Sequence, residues 1–285
     1  MTKKIAVIND LSGFGKCSLT AAISVIASMG VQPCPLPTAV LSAQTGYDSY
    51  FLDDYTDKME NFRIEWKKMG ASFDGIYTGF MASSRQIERV FEFLDTFYGE
   101  QTFLLVDPVM GDDGRKYDMF TPELLAMMKE LAVRADIITP NLTELCLLTG
   151  EDYHTLESLT EQEQILQEAA RLGREMTEKG PAMVVVTGIR FRDKEDGLLK
   201  MGNLAVTQSE EHLCAFPCIS GSYSGTGDLF ASAIAGGMAK GEEIRSVMKK
   251  AGSMIEHAMA DAVREQIPRN DGVEYEKYLW MLQEK

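Results

Sequence analysis

Residues 103–131 hold three pieces in order: the apolar run Phe103-Leu104-Leu105-Val106, the turn Asp107-Pro108-Val109-Met110-Gly111-Asp112, and the amphipathic segment 122–131. The apolar run is too short for a helix and reads as a buried strand, and the longer segment, opened by Pro122, reads as a helix. The same rhythm recurs in both directions. A strand at 5–8 precedes a helix at 18–29, and one at 75–78 precedes a helix at 85–97. The pair Ile137-Ile138 precedes the segment 144–148, and a strand at 183–186 follows a long polar helix over 161–178. Alternation of this kind predicts βαβ units and an α/β fold with a mostly parallel central sheet covered on both faces. Beyond Thr187 the pattern changes. Segments 197–206 and 211–216 read as an antiparallel pair at one edge of the sheet, and helices return at 227–238, 243–262 and 274–282. With no repeat or linker dividing it, residues 1–285 read as a single domain.

Composition narrows the function. The 285 residues carry a formal charge of −15, with 45% hydrophobic and 25% charged residues, the profile of a folded soluble protein. Such a negative field repels nucleic acid and anionic lipid, so an anionic substrate must be met locally by backbone N–H groups, a metal ion or a few basic side chains. Five cysteines without a CxxC pair argue against a disulfide framework or a zinc ribbon and fit a reducing cytoplasm. Cys214, Cys218 and His212 read as packing residues, not a metal cluster. The apolar run 5–8 is broken by Asn9 and Asp10, too early for a signal peptide, and no stretch is long enough to span a bilayer. His154, His212 and His257 follow no Ser/His/Asp order and no GxSxG elbow, which argues against a hydrolytic triad.

Parallel sheets bind ligands beyond the carboxyl ends of their strands, and the chemistry-bearing motifs fall there. In Gly221-Ser222-Tyr223-Ser224-Gly225-Thr226-Gly227-Asp228, two glycines flank a hydroxyl residue and open an apolar helix. Successive N–H groups can then point at one anion with the helix dipole behind them. Asp228 reads either as a general base beside that anion or as a helix-start carboxylate satisfying amides. Asp107 and Asp112 leave a strand end on a turn stiffened by Pro108. They suit magnesium, with a plain surface turn as the alternative. Thr139-Pro140-Asn141-Leu142-Thr143-Glu144 has capping-box spacing, which a role in orienting metal-bound water does not exclude. The turn Asp10-Leu11-Ser12-Gly13-Phe14-Gly15-Lys16-Cys17 fails the Walker A test: Asp10 stands at the required glycine and Cys17 follows the lysine. It remains a polar turn able to bind a small ligand.

Taken together, these residues resemble the ribokinase-like superfamily, and within it the pyridoxal kinase family. The resemblance rests on Gly225–Asp228, Asp107–Asp112, Thr139–Glu144, the segment 41–47 and the triplet Thr78-Gly79-Phe80. It implies the three-layer ribokinase-like fold and ATP-dependent phosphorylation of the hydroxymethyl group of a vitamin B6 form. Asp228 then matches the catalytic base and Gly225, Thr226 and Gly227 the anion hole. Asp107, Asp112 and Glu144 match positions that handle magnesium directly or through water. Thr139, Asn141, Thr187 and Gly188 match the nucleotide site, and Asp10, Ser12, Thr45 and Phe80 the substrate pocket. The resemblance also implies a homodimer and use of a monovalent cation such as potassium. Two departures concern the substrate. Asp10 stands where pyridoxal kinases often carry serine, and Phe80 where many carry tyrosine. Asp10-x-Ser12-Gly13 instead looks like the turn of hydroxymethylpyrimidine kinases, relatives that usually have cysteine where this chain has Asp228.

Overall fold

The computed structural model describes residues 1–219 and 221–283. The fold is α/β, with a nine-strand, mostly parallel mixed sheet and an antiparallel edge. The chain divides into two compact units, one of residues 1–104 with 219 onward, the other of residues 105–218.

The first unit contains β1 (Lys4–Ser12), α1 (Ser18–Ser28), β2 (Gln32–Leu41), β3 (Leu52–Asp54), α2 (Thr56–Lys68), β4 (Gly75–Thr78) and α3 (Ser84–Phe97). Late in the chain it adds α8 (Thr226–Lys240), α9 (Ile244–Arg264) and two 3-10 turns, Arg269–Asp271 and Tyr275–Leu282. Its strands run in the order β4-β1-β2-β3, with β1 parallel to both of its neighbours. Ile5, Ala6, Val7 and Ile8 are fully buried, as expected of a central strand covered on both faces. Helices α1 and α8 lie against β1, so the loops at its carboxyl end and the start of α8 belong to one neighbourhood.

The second unit begins within β5 (Phe103–Val106) and continues through β6 (Gly111–Asp112), β7 (Arg115–Lys116), α4 (Pro122–Arg134), β8 (Ile137–Ile138), α5 (Leu142–Thr149), α6 (Tyr153–Glu157) and α7 (Gln162–Lys179). It ends with β9 (Met183–Arg192), β10 (Leu199–Val206) and β11 (Glu211–Pro217). Strands β5, β8 and β9 are parallel. β9, β10 and β11 form the antiparallel edge that the sequence pattern predicts.

Three readings are corrected. β9 does not stop at Val186 but runs through Thr187 and Gly188 to Arg192, because β10 pairs with its far half. The segment expected as a helix over 274–282 is a 3-10 turn, Tyr275–Leu282. Residues 32–41, given no element from the sequence, form β2 despite Pro33, Pro35 and Pro37. The Gln32 N–H donates to the Lys3 carbonyl at 2.8 Å, so alternate amides of β2 face β1 and the prolines fall on the other side. β3 pairs there only with Ala39, Val40 and Leu41, and proline, which has no N–H to donate, is tolerated on such an open flank.

Candidate active site

In the first unit the site begins where β1 ends. Asp10 and Ser12 are buried, with 6% and 0% exposure, and the Ser12 hydroxyl donates to Asp10 Oδ2 at 2.8 Å. Asn9, fully buried beside them, accepts the Asp10 N–H at 3.0 Å and the Phe80 N–H at 2.9 Å on its side-chain oxygen. Its side-chain nitrogen donates to Asp228 Oδ1 at 3.3 Å. One amide thus gathers the end of β1, the segment just after β4 and the start of α8. Phe80 is half-buried, whereas Thr45 is exposed on the separate turn 44–47.

The α8 start has the form the glycines predict. Gly225 caps the helix at φ +88°, and a Cβ there would lie 2.0 Å from the Lys16 carbonyl oxygen. Only glycine permits this backbone approach. The first amides of a helix have no carbonyl one turn back to accept them. Gly225 and Thr226 are half-buried and Gly227 is exposed, so these N–H groups are open to an anion, with the dipole of a 15-residue helix behind them. Asp228 follows in the first turn, where its carboxylate also accepts its own backbone N–H. Burial pushes its carboxyl up to about 6, opposed by the Ser18 backbone amide and the Asn9 side chain, while the negative charge of Asp10 raises it further. Ser18 stands at φ +51°, a strained conformation for a residue with a Cβ. Its amide serves Asp228 and its hydroxyl serves Asp10.

In the second unit Asn141 caps α5 in a complete capping box. The Asn141 side chain accepts the Glu144 N–H at 2.9 Å, and Glu144 Oε2 accepts the Asn141 N–H at 2.9 Å. The other Glu144 oxygen accepts the Met110 N–H at 2.9 Å, and the Asn141 side chain donates to the Gly111 carbonyl at 2.8 Å. Capping therefore fastens the loop after β5 to α5. That loop carries strain at Val109, φ +39°, unusual for a β-branched residue. It turns back through β6 and β7 at Asp113-Gly114, both at positive φ, the Asp-Gly signature of a tight hairpin. Thr187 forms a parallel bridge with Asn141, and its N–H donates to the Pro140 carbonyl at 2.9 Å. The amide of the exposed Gly188 donates to Asn203 Oδ1 at 3.2 Å. Asp107 thus follows β5 and Asp112 lies in β6, Thr139 and Asn141 follow β8, Glu144 sits in the first turn of α5, and Thr187 lies in β9.

A magnesium ion fits this set through water. Among the described residues no three His, Cys, Asp or Glu side chains stand close enough to hold a metal directly, and both Glu144 oxygens already accept amides. Burial first, then the negative charge of Asp112, pushes Glu144 up to about 7, and a cation beside the two would favour the charged form of both. The buried Thr139 hydroxyl has no hydrogen-bond partner among the described residues. Such oxygen donors would suit a hydrated divalent cation.

Comparison with known proteins shows the family. The phosphomethylpyrimidine kinase family pattern matches residues 14–270. This chain is a member of the phosphomethylpyrimidine kinase family. It is 26% identical to the pyridoxal kinase PdxY of Rubrobacter xylanophilus, over 91% of this chain and 88% of that one. A candidate phosphomethylpyrimidine kinase of Bacteroides thetaiotaomicron, 36% identical, superimposes with a TM-score of 0.90 over 100% of this chain and 95% of its own. Its second crystal form, with pyridoxal, gives 0.85. The pyridoxal kinase of Staphylococcus aureus in complex with ADP, 20% identical, shares the fold at 0.75, over 98% of this chain and 95% of its own. Among the described residues no helix is long and apolar enough to cross a membrane.

The sequence reading missed two residues of this kinase-family site. Asn9 had a usable signal, a polar amide beside Asp10 at a strand end. Ser18 had none, because what it does depends on a backbone angle.

Proposed function

We propose that this protein phosphorylates the hydroxymethyl group of pyridoxal, pyridoxamine or pyridoxine at the expense of ATP. The observation that carries this reading is Asp228, held by Asn9 and Ser18 in the first turn of α8, next to the open amides of Gly225, Thr226 and Gly227. With its carboxyl near 6, Asp228 is mostly ionised at neutral pH and basic enough to accept a proton from an alcohol as that alcohol attacks. The hydroxymethyl oxygen bonds the γ-phosphorus, its proton passes to Asp228, and the bond to the β–γ bridging oxygen breaks, leaving ADP. The amides of Gly225 to Gly227 stabilise the charge of the transferring group. Thr139, Asn141, Thr187 and Gly188 line the nucleotide phosphates, and Asp10, Ser12, Thr45 and Phe80 face the vitamer. Asp107, Asp112 and Glu144 would hold hydrated magnesium, which supplies charge neutralisation on the phosphates.

A second reading has its own support. The buried Asp10 accepts the hydroxyl of the buried Ser12 in the Asp-x-Ser-Gly turn, the arrangement resembling hydroxymethylpyrimidine kinases. The test is kcat/KM for pyridoxal, pyridoxamine, pyridoxine and hydroxymethylpyrimidine with magnesium and ATP. Preference for a B6 vitamer supports the first reading, preference for the pyrimidine supports the second, and no ADP with any of them removes both.

A further inference from the structure

The turn 44–47, which carries Thr45, is joined to the α8 start by one buried side chain. Gln44 is 8% exposed. Its amide nitrogen donates to the Asn270 carbonyl at 3.1 Å and to the Ser224 hydroxyl at 3.3 Å, while its amide oxygen accepts the Gly46 N–H at 2.8 Å. The ring closes through other bonds. The Asn270 side chain donates to the Gly46 carbonyl at 2.6 Å, and the Ser224 N–H donates to the Arg269 carbonyl at 3.1 Å. Three segments distant in sequence, the turn at 44–47, the loop ending at Gly225 and the turn Arg269–Asp271, therefore share one polar network.

A buried amide whose donor and acceptor are both satisfied fixes its surroundings, since any slip leaves polar groups without partners. Lys16 reaches the same late segment by pairing with Glu274 and Glu276, but those partly exposed ion pairs hold geometry weakly. We infer that Gln44 is a positioning residue that keeps the substrate turn bearing Thr45 in register with the phosphate cradle Gly225–Gly227. The alcohol and the phosphoryl group are then placed by one rigid network. This inference rests on the proposed kinase reaction.

Gln44→Met preserves side-chain length and removes the three side-chain hydrogen bonds. Gln44→Glu keeps an acceptor for Gly46 but sets a carboxylate against the Asn270 carbonyl. In both variants kcat with pyridoxal should fall about 10- to 100-fold, the scale of a misplaced reacting group, with KM for ATP within about twofold of wild type. Hydrogen–deuterium exchange should quicken at the amides of 224–226 and stay unchanged in β1. Equal loosening of β1 and α9, with kcat falling only as the folded fraction falls, would overturn the inference. So would unaltered kcat together with unaltered exchange at 224–226. Should Gln44→Met fail to fold, Ser224→Ala removes one contact of the network and is read by the same measurements. A wild-type protein inert to every vitamer removes the functional reading alone. Exchange at 224–226 then decides Gln44 by itself, local loosening supporting it and its absence overturning it.

Discussion

Asn9 and Asp228 lie 219 positions apart in the chain and meet at 3.3 Å, with the Asn9 side-chain nitrogen donating to the carboxylate. The Asn9 oxygen is taken by the amides of Asp10 and Phe80, so the amide cannot rotate without losing two bonds. The proposed base is aimed by a side chain that is itself fixed by two strand ends.

Asp228→Ala should lower kcat by about 10²- to 10⁴-fold, the usual value of a positioned general base. Nucleotide affinity should stay near wild type, since the phosphates are assigned to other residues. Steady-state kinetics with titration calorimetry checks both halves, and near-normal turnover would refute the assignment.

The rate should depend on pH through the same group. The base works ionised, so kcat/KM should rise as pH passes about 6. Asp10→Asn removes a charge that raises the Asp228 carboxyl and should move this limb to lower pH. Asn9→Ala removes a donor that lowers it and should move the limb to higher pH. Opposite displacements in the two variants identify the limb as that of Asp228.

Stability should run the other way. The folded value of about 6 lies above the ordinary 3.8. The contribution of Asp228 to stability is therefore fully present below 3.8 and lost as pH rises through 6. At neutral pH Asp228→Asn should stabilise the protein, by at most about 3 kcal/mol given the partial solvent access of the group. Denaturant unfolding at pH 5 and pH 8 measures this, with the larger gain expected at pH 8.

Gly79→Ala should damage catalysis without touching a proposed catalytic group. A Cβ there would lie 2.2 Å from the Asn9 side-chain nitrogen, so Asn9 must move and release Asp228. An order-of-magnitude loss in kcat is expected, as for a displaced reacting group. The acid limb should shift upward as in Asn9→Ala, which separates this effect from simple instability.

Glu144→Ala should cost about 1–2 kcal/mol through loss of the capping box. It also frees the Met110 amide and should raise the magnesium concentration needed for half-maximal rate. Thermal unfolding and a magnesium titration of activity read the two effects separately.

Much of this was legible in the sequence because it depends on local pattern. Gly75–Thr78 and Phe103–Val106 form strands with the expected bounds, since short apolar runs between turn signals have one good solution. The Asn141–Glu144 box was legible in its spacing, because its bonds span a single helical turn. β2 was not, since what excuses its prolines is that, among the described residues, no strand pairs with that stretch of its outer flank, a property of the sheet. Gln44 escaped for a related reason, since its bonds to Ser224 and Asn270 are made far along the chain, and Ser18 because its role depends on a positive φ.

The prolines of β2 also bear on how the protein survives while folding. Because Pro33 and Pro35 lack the hydrogen that a neighbouring chain would need, the flank they occupy offers no continuous ladder to a stray strand. The segment guards itself against runaway cross-β growth at the stage when its sheet is only partly assembled.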